Sequence, residues 1–158
     1  MWQEGEEVIL GLLNNFYSEP FISSNPHDFE LILDGVQAVV TEELRANLAR
    51  PYTAEEVAFA IKEMIPLKPP GRDGMPPWFY QTYYTDVCMD ISQVVLSSLN
   101  NGSLLKTVNH TLITLIPKVQ NPERVTKFRP ISFCNMIYKI VSKVIANHLK
   151  PFLNSIIL

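Results

Sequence analysis

The sequence predicts an α+β fold, mostly helical, with one short antiparallel β-hairpin followed by a helix. Three observations carry this. Apolar residues recur at helical spacing in several segments. Thr111–Ile116 is β-branched and apolar on both faces, which marks a strand. A polar turn over 119–127 then separates it from a second extended run, 128–133. The 12 prolines argue against a plain helix bundle.

Residues 4–17 read as a helix. Glu4, Glu6 and Glu7 load its first turn, and Val8, Ile9, Leu12, Leu13 and Phe16 form an apolar stripe. Residues 18–27 read as a loop, and residues 28–40 fit neither pattern. Thr41 starts a helix to about Leu48. Thr53-Ala-Glu-Glu56 is a capping box, with Val57, Ala60, Ile61, Met64 and Ile65 as the buried face of the helix it opens. Pro66 ends that helix. The stretch 66–77, Pro-Leu-Lys-Pro-Pro-Gly-Arg-Asp-Gly-Met-Pro-Pro, excludes regular structure. Helical pattern resumes at Trp78 and runs, with a break near 84–86, to Leu99, where Asn101-Gly102 stops it. Thr111–Ile116 reads as a buried strand because both of its faces are apolar. Asn135 caps a last helix to about Lys150, with Ile137, Ile140, Val141, Val144 and Ile145 turned inward.

Composition excludes several classes. With 47% hydrophobic and 18% charged residues, the chain is no disordered tail, collagen-like chain or charge-dense coiled coil. The acidic opening, Met-Trp-Gln-Glu-Gly-Glu-Glu, is unlike a secretory signal, so a cytoplasmic or nuclear location is expected and secretion is not. No apolar run reaches the length of a membrane span. Cys88 and Cys134, far apart, supply neither a disulfide framework nor a four-ligand zinc site.

The net charge of −3 conceals a split. Residues 1–63 carry 12 acids and 3 bases, whereas residues 64–158 carry 4 acids and 10 bases. The basic part is either an electrostatic footprint for a polyanion or a lysine-rich solvated surface. On the last predicted helix, Lys139, Lys143 and Lys150 fall on one side, either as a row that tracks a phosphate backbone or as the polar face of an amphipathic helix. The sequence has no Gly-rich phosphate loop, no His-Glu-x-x-His, no Gly-x-Ser-x-Gly and no Asp-Asp pair. His110 and His148 read as surface or core-edge residues rather than ligands.

A series of segments then gives a resemblance. Lys68-Pro-Pro-Gly-Arg-Asp-Gly74, Phe79-Tyr80-Gln81 and Asn109-His-Thr-Leu-Ile-Thr-Leu-Ile-Pro-Lys118 come first. Asn121-Pro-Glu-Arg124, Phe128-Arg-Pro-Ile-Ser132, Cys134-Asn135 and Tyr138-Lys-Ile140 follow. In this order they resemble the N-terminal part of the reverse transcriptase domain of non-LTR, LINE-type retrotransposons. The resemblance implies that 68–158 is the fingers portion of a right-hand polymerase, truncated before the palm. Residues 1–67 are similar to the segment that precedes it. Lys118 and Arg129 become candidates for contact with the nucleotide triphosphate, where catalysis is cationic clamping and positioning. Without the resemblance they read as a strand-end cation and a structural ion-pair partner. Lys68 and Arg72 become candidates for nucleic-acid phosphates, beside Lys139, Lys143 and Lys150.

The chain departs from the family at Arg72, usually Pro; at Pro69, usually Ala or Ser; at Phe133, usually Leu; and at His148, usually Arg. No catalytic or metal-binding residue is assigned. The family's Mg²⁺-binding aspartates are expected beyond Leu158, so the chain alone is expected to be inactive as an RNA-directed DNA polymerase. The expected partners are an RNA template or RNA/DNA hybrid, and a protein covering the apolar end at Ile156-Ile-Leu158. Membrane association is not expected. The alternative functions are a non-catalytic RNA-binding module that uses the basic C-terminal half, and an inert coding remnant.

Overall fold

In the computed structural model, residues 5–19, 22–25, 27 and 40–156 are described, the last three as backbone only. The ambiguous stretch 28–40 lies almost entirely outside them, as does the acidic residue Glu4. The described chain is mostly helical with one two-stranded antiparallel sheet, as the sequence predicts. It forms two compact units: Met1–Ala38 with Leu115–Pro130, and Val39–Thr114 with Ile131–Leu158.

The second unit holds the core. Helices α2 (Glu42–Leu48), α3 (Ala54–Lys62), α4 (Pro77–Thr82), α5 (Tyr84–Asn100) and α6 (Met136–Ile156) belong to it, and α3, α5 and α6 pack on one another. Val57, Ala60 and Ile61 of α3, Ile91 and Val95 of α5, and Met136, Ile140, Val141 and Val144 of α6 form one buried cluster. The capping box at Thr53 is complete: its hydroxyl accepts from Glu56 N–H, and the Glu56 carboxylate accepts from Thr53 N–H. Helix α3 stops at Lys62, short of Pro66, and Ile65 is 69% exposed rather than buried. The chain leaves the helix before Ile65, so the 3.6-residue stripe no longer decides where that side chain goes. Gln81 secures this end by donating from Nε2 to Ile61 O at 2.9 Å and Met64 O at 2.8 Å.

Helix α6 is longer than expected, running to Ile156 through Pro151. Ile145, expected to face inward, is 43% exposed. The inward stripe is narrower than the sequence suggests and centres on Met136, Ile140 and Val144.

In the first unit, α1 (Glu6–Ser18) forms as expected, but none of its residues is buried. Tyr17 Oη donates to Val125 O at 3.3 Å.

The hairpin strands are β1 (Thr111–Pro117) and β2 (Phe128–Cys134), joined through a 3₁₀ turn at Val125–Lys127. Lys118 N–H donates to Lys127 O at 2.8 Å, and Thr111 Oγ1 lies 3.7 Å from Cys134 Sγ. Both contacts belong to one antiparallel register, which sets Ile116 opposite Arg129. The expectation of a buried β1 is corrected: Leu112, Ile113 and Ile116 are about half exposed. An apolar run on both faces is ordinarily covered by two layers. A two-stranded ribbon here supplies the ladder without the layers. Among the described residues, no helix is long and apolar enough to cross a membrane.

Candidate functional site

The Pro-rich segment 66–76 is fastened to the corner where β2 meets α6. A Cβ on Gly71 would lie 2.3 Å from Cys134 O and 2.6 Å from Asn135 N, so only glycine lets the two backbones touch. Two residues on, Asp73 N–H donates to Asn135 Oδ1 at 3.3 Å, and Asp73 Oδ2 accepts from Met136 N–H at 2.5 Å. The cap of α6 is therefore Asp73, not the side chain of Asn135. Asn135 occupies the cap position, but its amide donates to Thr107 O and Val108 O at 3.1 and 3.3 Å. A carboxylate from a distant loop meets the first-turn amide and the positive end of the helix dipole together. Lys139 closes the attachment, donating from Nζ to Pro69 O at 2.6 Å.

Beside this corner is a cleft of about 490 Å³. It brings together Lys68, Lys139 and Lys143 of the sequence-derived candidates, with Ser132, Tyr138 and Ser142 among its other lining residues. One wall carries an acid, Glu63, that the sequence did not single out. Its Oε2 lies 2.8 Å from Lys143 Nζ and accepts from Asn147 Nδ2 at 3.0 Å. The Lys143 and Asn147 hydrogen bonds hold its carboxyl below the usual range, against a small opposing effect of burial. A larger cavity, about 620 Å³, lies among Phe59, Ile61, Met64, Pro66 and Tyr84. It is mainly apolar, and Lys62 is its one lysine, so it offers a polyanion little.

The remaining candidates are not among the residues that line the cleft. Arg72 is exposed on the 66–76 segment, and Lys150 is exposed late in α6. Lys118 and Arg129 fall in the first unit. Arg129 is exposed, whereas Lys118 Nζ donates to Thr126 O at 2.9 Å and braces the hairpin turn. The lysine row expected on α6 is unevenly available: Lys139 and Lys143 have protein partners, and Lys150 faces solvent. Among the described residues, no group of three His, Cys, Asp or Glu side chains is placed to hold a metal ion.

A second polar cluster joins three segments inside the same unit. His148 is 5% exposed and packs at a tilt against Tyr52, with ring centroids 4.6 Å apart and planes inclined at 46°. Its Nδ1 lies 2.9 Å from Glu56 Oε1, and its Nε2 lies 3.2 Å from Leu48 O. Both partners are acceptors, a carboxylate oxygen and a backbone carbonyl. Arg50 adds a second cation to Glu56, Nη2 to Oε1, at 2.7 Å. Burial pushes the Glu56 carboxyl up, but the hydrogen bonds from His148, Thr53 N–H and Arg50 outweigh it and hold the group low. Nothing in the spacing of the sequence links His148 to Leu48 or Glu56. His148, read from the sequence as a surface or core-edge residue rather than a ligand, is buried at these contacts.

No family model matches the chain. It is 30% identical over 156 residues to the transposon TX1 uncharacterized 149 kDa protein of Xenopus laevis. The match takes in 98% of this chain and 12% of that protein. The chain thus spans about one eighth of the length of the curated relative it matches, and almost all of it is similar in sequence to a stretch of a transposon protein.

Proposed function

We propose that this chain is the fingers part of a LINE-type reverse transcriptase and that its retained role is to hold nucleic acid rather than to polymerise it. The order of segments from Lys68 to Ile140 supports the family reading, as does the similarity to a transposon protein. The observation that carries the binding role is the cleft in which Lys68, Lys139 and Lys143 converge beside the Ser132 and Ser142 hydroxyls. Lysine ammonium groups neutralise phosphates and release counterions, and hydroxyls donate to phosphate oxygens. In the same reading Lys118 and Arg129 are the candidates for contact with the incoming triphosphate. Nucleotide addition needs paired carboxylates to hold Mg²⁺, and these 158 residues contain no Asp-Asp pair. The full assembly would draw that pair, and the metal, from elsewhere.

The test is a titration of the purified chain with single-stranded RNA across salt concentration. Binding should weaken steeply with salt, by about 0.7 log units per log unit of salt for each phosphate neutralised. A Lys68→Ala/Lys143→Ala variant should flatten that slope by about 1.4, the value for two contacts. Salt-independent binding, or a slope untouched by the double variant, would overturn the cleft as the site. Primer extension by the chain alone, with Mg²⁺ and nucleotides supplied, would overturn the non-catalytic role.

A further inference from the structure

Glu63 projects into the cleft as a built-in anion. Lys143 and Asn147 lie one turn apart on α6, and their Nζ and Nδ2 converge on the single oxygen Glu63 Oε2, at 2.8 and 3.0 Å. A cation and a neutral donor aimed at one oxyanion also suit a phosphate oxygen. The ion pair is accessible: its side chains are 33% and 35% exposed, so solvent and ions compete for both partners. Lys139 is already engaged by Pro69 O, and Lys68, exposed on the rim, is free of any such neighbouring acid among the described residues. Of the three cleft lysines, Lys143 is therefore the one whose charge is cancelled by a displaceable group.

We propose that Glu63 is a resident competitor for the cleft: its carboxylate occupies the phosphate position at Lys143 and Asn147 and must swing away before a nucleic-acid strand is bound there. This rests on the reading of the cleft as a nucleic-acid site. The consequence is a threshold. A polyanion that also engages Lys68 displaces the carboxylate, whereas a single small anion gains too little to do so.

The experiment is fluorescence anisotropy with a labelled oligouridylate, using the whole chain and a series of salt concentrations. Glu63→Gln should tighten binding about threefold and leave the salt slope near that of the wild type, because Lys143 meets the same phosphate without first giving up a carboxylate. Glu63→Asp keeps the charge and should stay near wild type. Glu55→Gln removes an equal charge from α3, away from the cleft lining, and should give a smaller gain than Glu63→Gln. In a Lys143→Ala background the Glu63→Gln gain should vanish. Circular dichroism melting of each variant separates loss of fold from loss of competition. Unchanged or weaker binding by a folded Glu63→Gln, or an equal gain in Glu63→Asp or Glu55→Gln, would overturn the competitor role. If wild type binds through Lys143 and Glu63→Gln adds nothing, only the competitor role falls. If neither protein binds with a salt slope, the nucleic-acid reading falls with it.

Discussion

The carboxylate of Asp73 accepts the backbone amide of Met136 at 2.5 Å, across 63 positions of sequence. It turns a Pro- and Gly-punctuated segment into the cap of the longest helix. It also fixes where the 66–76 backbone runs, and hence where Lys68 stands relative to Lys139 and Lys143.

Asp73→Ala should lower stability by about 1 kcal/mol, the usual cost of removing a helix cap, and Tm by several degrees. Asp73→Asn, which keeps an acceptor oxygen but loses the charge, should recover part of this. Thermal melts of the three proteins decide it, and equal midpoints would show that solvent caps Met136 as well as Asp73 does.

Gly71→Ala should cost more than the loss of the cap. The added methyl meets backbone, not a flexible side-chain end, at 2.3 Å, so the loop or the Cys134–Asn135 corner must shift. Overpacking of this kind costs about 1–3 kcal/mol. If the cleft forms through this corner, the same variant should also weaken RNA binding, read by the anisotropy titration.

Acid should weaken the protein through Glu56. Its folded-state pKa lies below the ordinary carboxylate value. Its contribution is therefore present above the unfolded value and is lost as pH falls through the folded one. Urea unfolding between about pH 7 and pH 3 should show a falling midpoint, and Glu56→Gln should show a shallower fall. His148→Ala should cost about 2 kcal/mol at neutral pH, because it strips a partner from a half-buried carboxylate and from Leu48 O.

The exposed hairpin and the helical core should respond differently to polar or truncating changes. Ile113→Thr, at a position 51% exposed, should change stability by less than about 0.5 kcal/mol. Ile140→Ala, at a position fully buried between helices, should cost about 2–5 kcal/mol. A large loss from Ile113→Thr would mean that β1 is covered in solution.

What the sequence made legible was local. The Thr53–Glu56 capping box, a break near 84–86 that falls at Tyr83, and the hairpin all follow from neighbours within a few positions. What it hid was pairing at long range. Asp73 lay in a stretch read as irregular and Asn135 read as a cap, each from its near neighbours alone. The contact that redistributes their roles spans two segments. Ile65 and Ile145 fit a periodic stripe on paper, but helix α3 had already ended, and the packed face of α6 is narrower than the pattern. Lys139 and Lys143 were found by spacing, while Glu63, which neutralises one of them, lies just past the end of α3 and had no signal of its own. The expected burial of β1 failed for a different reason: an apolar strand states a demand for cover that two strands cannot meet.

The glycine contact at the β2–α6 corner also bears on the order of folding. Gly71 can seat only against a peptide that is already in place, and Lys139 can reach Pro69 only once the first turns of α6 are wound. Docking of the 66–76 segment is then a late event, closing a long loop after the helices have met. The amide proton of Met136 becomes a clock for it: in pulsed hydrogen exchange it should gain protection after the amides of α3 and α5, and in the native state it should open first.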